Sequence, residues 1–181
     1  MTPAYSAAGN MTNVPKPADP TTSFTATFDA WNRLVRLVDT SSSDTVAEYE
    51  YDAVTRRVTH KSYIDGTVDE TRHQFYTEPS KWQVIEERAD ASTDPERQFA
   101  WGLRYIDGLV LRDCDTTGNG TLDERLYSMQ DTNWSVTGIA NASGSVQQRI
   151  AYQAFGGPLF LNNTFISSTN ETLWAVLYTG R

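Results

Sequence analysis

Apolar and polar residues alternate along most of the chain. Phe24, Ala26 and Phe28 share one face of an extended segment, as do Tyr49 and Tyr51, and β-branched and aromatic residues dominate these stretches. A basic residue then introduces a second stretch of the same kind at Arg33–Val38 and at Arg57–Thr59, and Trp82–Glu86 repeats the apolar pattern. No segment keeps a helical period for three turns. Turn-forming pairs fall between the stretches, at Asp65-Gly66, Asp107-Gly108, Asn119-Gly120, Ser143-Gly144 and Gly156-Gly157, where a positive φ comes at little steric expense. The pattern predicts an all-β chain of short antiparallel hairpins.

The hairpins repeat. An aromatic residue followed by a polar one and then small or turn-forming residues recurs at Tyr5, Phe28 and Tyr51, 23 residues apart each time. With looser matching the series continues through Tyr76, Trp101, Tyr127, Tyr152 and Tyr178, at steps of 25, 25, 26, 25 and 26. The polar residue after the anchor has a physical role, since Asp29 or Asp52 can accept a backbone hydrogen bond from two residues on and so fix the turn. A single two-stranded hairpin is marginal in water, so each unit must stack on its neighbours, with anchors Tyr51, Tyr76, Trp101, Tyr127 and Tyr152 more buried than the residues around them. Residues 1–23, with Pro3, Pro15, Pro17 and Pro20, read as a partial repeat and an extended linker, and residues 24–181 as the repeat segment. Asn162–Thr172 reads as a loop between the last two units, and the terminal hairpins are expected to leave open strand edges.

Composition narrows the function. Among 181 residues, 15 Lys and Arg stand against 23 Asp and Glu, a net charge of −8 with pI about 4.7, which argues against a nucleic-acid partner. The 5 Trp, 9 Tyr and 7 Phe give a modest 39% apolar content the means to build a core. With only His60, His73 and Cys114, the usual His/Cys zinc sites, an internal disulfide and a Cys-x-x-Cys redox pair are excluded. No stretch approaches the roughly 18 apolar residues of a spanning helix, and the first twenty residues lack the basic start and apolar run of a signal peptide.

The motif Phe28-Asp29-Ala30-Trp31-Asn32-Arg33-Leu34-Val35, with Tyr51-Asp52-Ala53-Val54-Thr55-Arg56-Arg57, resembles the Tyr-Asp-Ala-x-Gly-Arg repeat of the YD-repeat (Rhs) family. Trp101-Gly102-Leu103-Arg104-Tyr105-Ile106-Asp107 and Tyr152-Gln153-Ala154-Phe155-Gly156 also look like that family's core sequence, so the resemblance covers roughly residues 5 to 181. In bacterial Rhs proteins, toxin-complex cocoons and teneurins such repeats form a long antiparallel sheet that spirals into a hollow shell. The resemblance therefore implies a non-catalytic wall segment of a bacterial shell enclosing a polypeptide, toxin-type cargo. Its partners would be flanking repeats and that cargo, and its place the cell surface or the secreted fraction, as part of a larger protein. The family's self-cleaving Asp-Pro-x-x-Gly-Leu type motif is expected to be missing, because Asp19-Pro20 and Asp94-Pro95 are not followed by Gly-Leu. About eight anchors are also too few to close a shell.

Other chemistry is thinner. His60 or His73 could enter a triad, but no Gly-x-Ser-x-Gly elbow is present; Glu86, Glu87, Asp90 and Asp94 read as solvated carboxylates, and nothing in the sequence places a base beside Cys114. No catalytic role is expected. Between Asp113 and Glu124, however, a calcium loop with Gly120 at its sharp turn would draw ligands from Asp115, Thr117, Asn119, the Thr121 carbonyl and Asp123. Leu126 stands where the bidentate Glu belongs, so the plainer expectation is an acidic hairpin turn on Asn119-Gly120 and no cofactor. The alternative function is an extracellular adhesion module, calcium-stabilised if that loop binds, that takes a carbohydrate or protein ligand and uses Trp31, Trp82 and Trp134 as sugar platforms.

Overall fold

A computed structural model describes residues 2–103, 108–154 and 156–177. Fourteen strands follow one another, and the described residues hold no helix. They are β1 Ala4–Tyr5, β2 Met11–Pro15, β3 Ser23–Phe28, β4 Leu34–Asp39, β5 Thr45–Tyr51, β6 Arg57–Ile64 and β7 Thr67–Tyr76. Then come β8 Val84–Ala89, β9 Arg97–Trp101, β10 Leu109–Cys114, β11 Glu124–Gln130, β12 Val136–Asn141, β13 Val146–Tyr152 and β14 Pro158–Asn162. Strand order in the sheet is chain order, and every described pairing is antiparallel. The all-β hairpin array read from the sequence is thus the fold.

Two compact units divide the chain, residues 1–75 with 88–92 and residues 76–87 with 93–181. In the first, β2 extends the sheet through the proline-bearing stretch, with Asn13 opposite Thr25 and Pro15 opposite Ser23. Proline fits there because it ends the strand. Among the described residues the buried apolar side chains of this unit are small, Ala26 and Ala47. The second unit has a larger core of Leu109, Leu126, Val136, Ile139, Ile150 and Trp174.

One turn recurs along the chain. Starting at Ser6, Asp29, Asp52, Asp131, Asn141, Gln153 and Asn162, the first residue's N–H donates to the fifth residue's carbonyl and the fourth residue's N–H to the first's. The fourth residue has positive φ: Gly9, Asn32, Thr55, Trp134, Gly144, Gly156 and Phe165 lie between 62° and 83°. This is a type I turn completed by a left-handed residue, the usual three-residue hairpin loop. Asp65-Gly66 instead makes the tight two-residue turn expected of it, with φ of 49° and 73°. Connections after odd-numbered strands hold five or seven residues, whereas those after even-numbered strands range from two after β6 to nine after β10.

Candidate functional site

Trp101, which ends β9, sits opposite Leu109, eight positions on, and the residue that ends each other odd strand with a described pairing across its turn sits opposite the residue six positions on. The pairs are Tyr5 and Met11, Phe28 and Leu34, Tyr51 and Arg57, Gln130 and Val136, and Tyr152 and Pro158. From that place the side chain reaches the preceding hairpin. Tyr51 Oη donates to Leu34 O at 2.8 Å, Trp101 Nε1 to Val84 O at 2.7 Å, and Tyr152 Oη to Val136 O at 2.6 Å. Leu34, Val84 and Val136 each open the strand after the previous turn, where the main-chain carbonyl lies at the margin of the ladder. The ring buries apolar area while its polar end satisfies that carbonyl, a use suited to Tyr and Trp. Burial holds the Tyr51 and Tyr152 hydroxyls above the ordinary phenol range; for Tyr152 the nearby Asp131 carboxylate adds to it, taking the value to about 12.

The series has one correction. Tyr127 lies inside β11 opposite Ala140 and is less buried than its neighbour Leu126, and the position that precedes the turn is Gln130. Tyr51, Tyr76, Trp101 and Tyr152 end their strands as expected, each half-buried beside an exposed residue. Tyr178, proposed as the last anchor, lies outside the described residues, as do Tyr105 and Asp107.

The acidic residue after the anchor builds the turn. Asp29 Oδ1 accepts from Trp31 N and Arg33 N at 2.9 and 3.0 Å, and Asp52 Oδ1 from Val54 N and Arg56 N at 3.0 and 2.9 Å. Asp131, Asn141 and Asn162 repeat the arrangement. Desolvation raises the Asp29 and Asp52 pKa values, but these backbone bonds and the bond from the following Arg together outweigh it and hold both below the usual carboxylate range. Arg33 then crosses to the next unit: its Nε is 2.7 Å from Asp29 Oδ2, its Nη1 donates to Asp52 O at 3.1 Å, and its guanidinium lies 4.8 Å from the Tyr51 ring centre. Turn, anchor and next turn are thereby tied together.

Asn119-Gly120 does not form a tight hairpin turn. The nine-residue connection after β10 is organised by Asp115, whose Oδ1 accepts from Thr117, Gly118 and Asn119 N–H groups and whose Oδ2 accepts from Gly120 N at 2.7 Å. Desolvation works against the charged form here, yet these donors hold Asp115 below the carboxylate range. Asp123 Oδ1 accepts from Thr116 N and Oγ1, each at 2.9 Å, and Asn119 Oδ1 from Thr121 N at 2.8 Å. Gly120 is required: its φ is +83°, and a Cβ there would stand 2.9 Å from the Asp94 carboxylate. The five proposed ligand residues Asp115, Thr117, Asn119, Thr121 and Asp123 share one loop, with the carboxylates turned onto its N–H groups. Among the described residues no three His, Cys, Asp or Glu side chains are grouped to hold a metal ion.

The other candidates occupy strands or open surface. His60 stacks on Tyr49 with ring centres 5.1 Å apart, and His73 pairs with Thr59 across β6 and β7. Glu86 accepts from Gln98 at 2.9 Å; Glu87, expected to be solvated, is instead buried and lies 3.5 Å from Arg97; and Cys114 is buried. Trp31 is 73% and Trp82 60% exposed, whereas Trp134 is half-buried.

Past Asn162 the stretch expected as a loop holds no named strand, but it is pinned to the sheet. After the Asn162 turn, Ser167 pairs with Leu161 and Ser168 N donates to Phe160 O, which covers part of the β14 edge. Asn170 then turns the chain, with Trp174 N donating to Asn170 Oδ1 and Asn170 Nδ2 to Trp174 O, and Trp174 is buried to 1% in the core. The chain here crosses the sheet face instead of adding a strand, and the sequence signals that only through an indole inside a polar stretch.

Among the described residues no helix is long and apolar enough to cross a membrane. No known protein family and no curated protein sequence matches the chain. Among solved structures, a chain in the crystal structure of TcdB2-TccC3-Cdc42 is similar, at a TM-score of 0.53 and 11% sequence identity. That match covers 87% of this chain but 8% of the other, so the likeness is one of fold with a small part of a much longer chain.

Proposed function

We propose that the chain is a wall segment of a YD-repeat shell that encloses a polypeptide cargo, secreted or surface-bound as part of a larger protein and without catalytic residues of its own. The observation that carries this reading is the repeated bond from an anchor side chain to the first carbonyl of the preceding hairpin's second strand, at Tyr51, Trp101 and Tyr152. Such a bond has no use in an isolated hairpin; it serves an array in which every unit needs the next. The fold likeness to a chain of a toxin-complex assembly supports the same reading. Electron microscopy of the full-length parent protein is the test, combined with limited proteolysis. A hollow particle with a protease-protected internal segment is expected, and a particle without a cavity would reject the shell.

The adhesion reading draws on Trp31 and Trp82, which present their rings to solvent. Glycan-array binding that is lost in Trp31→Ala and Trp82→Ala would favour it over the shell.

A further inference from the structure

The first two repeated turns leave a hollow between them. A cavity of about 460 Å³ opens between the turn at 6–10 and the turn at 29–33, and Thr12 of β2 and Thr27 and Phe28 of β3 line it as well. Ala8, Ala26 and Ala30 put only methyl groups into its wall, which is why the space stays open. All of these residues belong to the first compact unit. The volume is that of an ordinary small-molecule site.

The lining is polar and carries little free charge. Asn10 Nδ2 donates to Asn32 Oδ1 at 2.8 Å, which fixes one amide against the other. An amide has one acceptor oxygen and two donor hydrogens, so the bridge leaves Asn10 Oδ1 to accept and Asn32 Nδ2 to donate. The carboxylate in the wall, Asp29, is already held by Arg33 Nε at 2.7 Å and by the N–H groups of its own turn. β2 and β3 each have a paired strand on both sides, so neither offers a free edge to which a peptide could add. What remains is hydroxyl and amide groups beside the Phe28 ring, with Trp31, 73% exposed, between Ala30 and Asn32.

Neighbouring hydroxyls of a sugar ring match that set. A hydroxyl both donates and accepts, so one of a vicinal pair can accept from Asn32 Nδ2 while the next donates to Asn10 Oδ1. The C–H face of the same ring is apolar and suits an aromatic side chain. The chain's net charge of −8 disfavours an acidic sugar.

We propose that this hollow binds an uncharged sugar ring, held by two adjacent hydroxyls on Asn10 and Asn32, with its C–H face against Phe28 and Trp31. The inference rests on the adhesion reading and gives it a site.

The test titrates the full chain with the methyl glycosides of mannose, galactose and glucose, and with methyl glucuronide as the charged counterpart, followed by the side-chain amide NMR signals of Asn10 and Asn32. At least one neutral glycoside should shift both signals and bind more tightly than the glucuronide. Asn32→Gly suits the φ of 62° and removes the amide, so it should fold and weaken binding about three- to tenfold, the worth of one hydrogen bond. Ala30→Phe, at an exposed turn position, should fill the hollow and abolish binding. No shift at Asn10 and Asn32 from any neutral glycoside overturns the proposal, as does binding that survives both variants, or a glucuronide that binds as tightly. Glycan binding that survives them and is lost only in Trp82→Ala removes this site and keeps the adhesion reading, whereas a glycan array without any binding removes both.

Discussion

Gln130 reaches the main-chain carbonyl of Leu109 through its side-chain amide, 3.4 Å away. Leu109 opens β10, as Leu34 opens β4 and Val136 opens β12, so Gln130 performs with an amide the bond that Tyr51 and Tyr152 make with a phenol. Ser128 Oγ donates to the same carbonyl. The position is defined by the acceptor it serves, and aromaticity is one way of filling it.

Tyr152→Phe keeps the ring and removes the bond to Val136 O. A loss of about 1 kcal/mol in urea unfolding is expected, the usual net worth of one such bond. Tyr51→Phe should lose a similar amount through Leu34 O. An unchanged midpoint in both would show that the hydroxyls do not tie adjacent hairpins.

Alkali should weaken the fold over a defined range. Tyr152 titrates near 10 when unfolded and about 12 when folded, so its contribution is complete below pH 10 and disappears as pH rises through 12. The raised Tyr51 and Tyr63 values act in the same direction. Thermal melts from pH 8 to 12 should show the melting temperature falling above pH 10, with a shallower fall in Tyr152→Phe.

Thr55 holds a φ of 71° in an exposed turn, an unfavourable setting for a β-branched residue. Thr55→Gly relieves that strain, partly offset by the greater freedom of glycine in the unfolded chain, and a net gain of roughly 0.5–1 kcal/mol is expected. Chemical unfolding of the variant measures it; a loss of stability would mean the Thr55 side chain contributes something its exposure does not show.

Calcium at several millimolar should leave the melting temperature unchanged, because the Asp115 oxygens already accept four described backbone N–H groups. A rise with calcium that disappears in Asp123→Asn would show instead that the loop reorganises around the ion.

The period of the chain was legible because the anchor and the following acid recur at Phe28-Asp29 and Tyr51-Asp52, and both do what local chemistry asks of them. Asn32 and Thr55 stand with positive φ where the Tyr-Asp-Ala-x-Gly-Arg motif that this stretch resembles has glycine. Tyr127 falls out of the series because the nine residues after β10 lengthen that repeat, and the anchor position is filled by a glutamine that aromatic matching passes over. Trp174 escaped notice because its role depends on contacts with Leu109, Leu126, Val136, Ile139 and Ile150, which are distant in sequence and carry no local period.

The uneven connection lengths separate the parts of the chain that keep time from those that do not. After odd strands the count stays at five or seven, since a residue added there would carry the next side chain past the carbonyl it must meet. After even strands the count already runs from two to nine with the pairing intact, so these loops can absorb insertions and deletions. Foreign epitopes, tags or whole domains grafted into the connection after β10 should therefore leave the register of every anchor undisturbed.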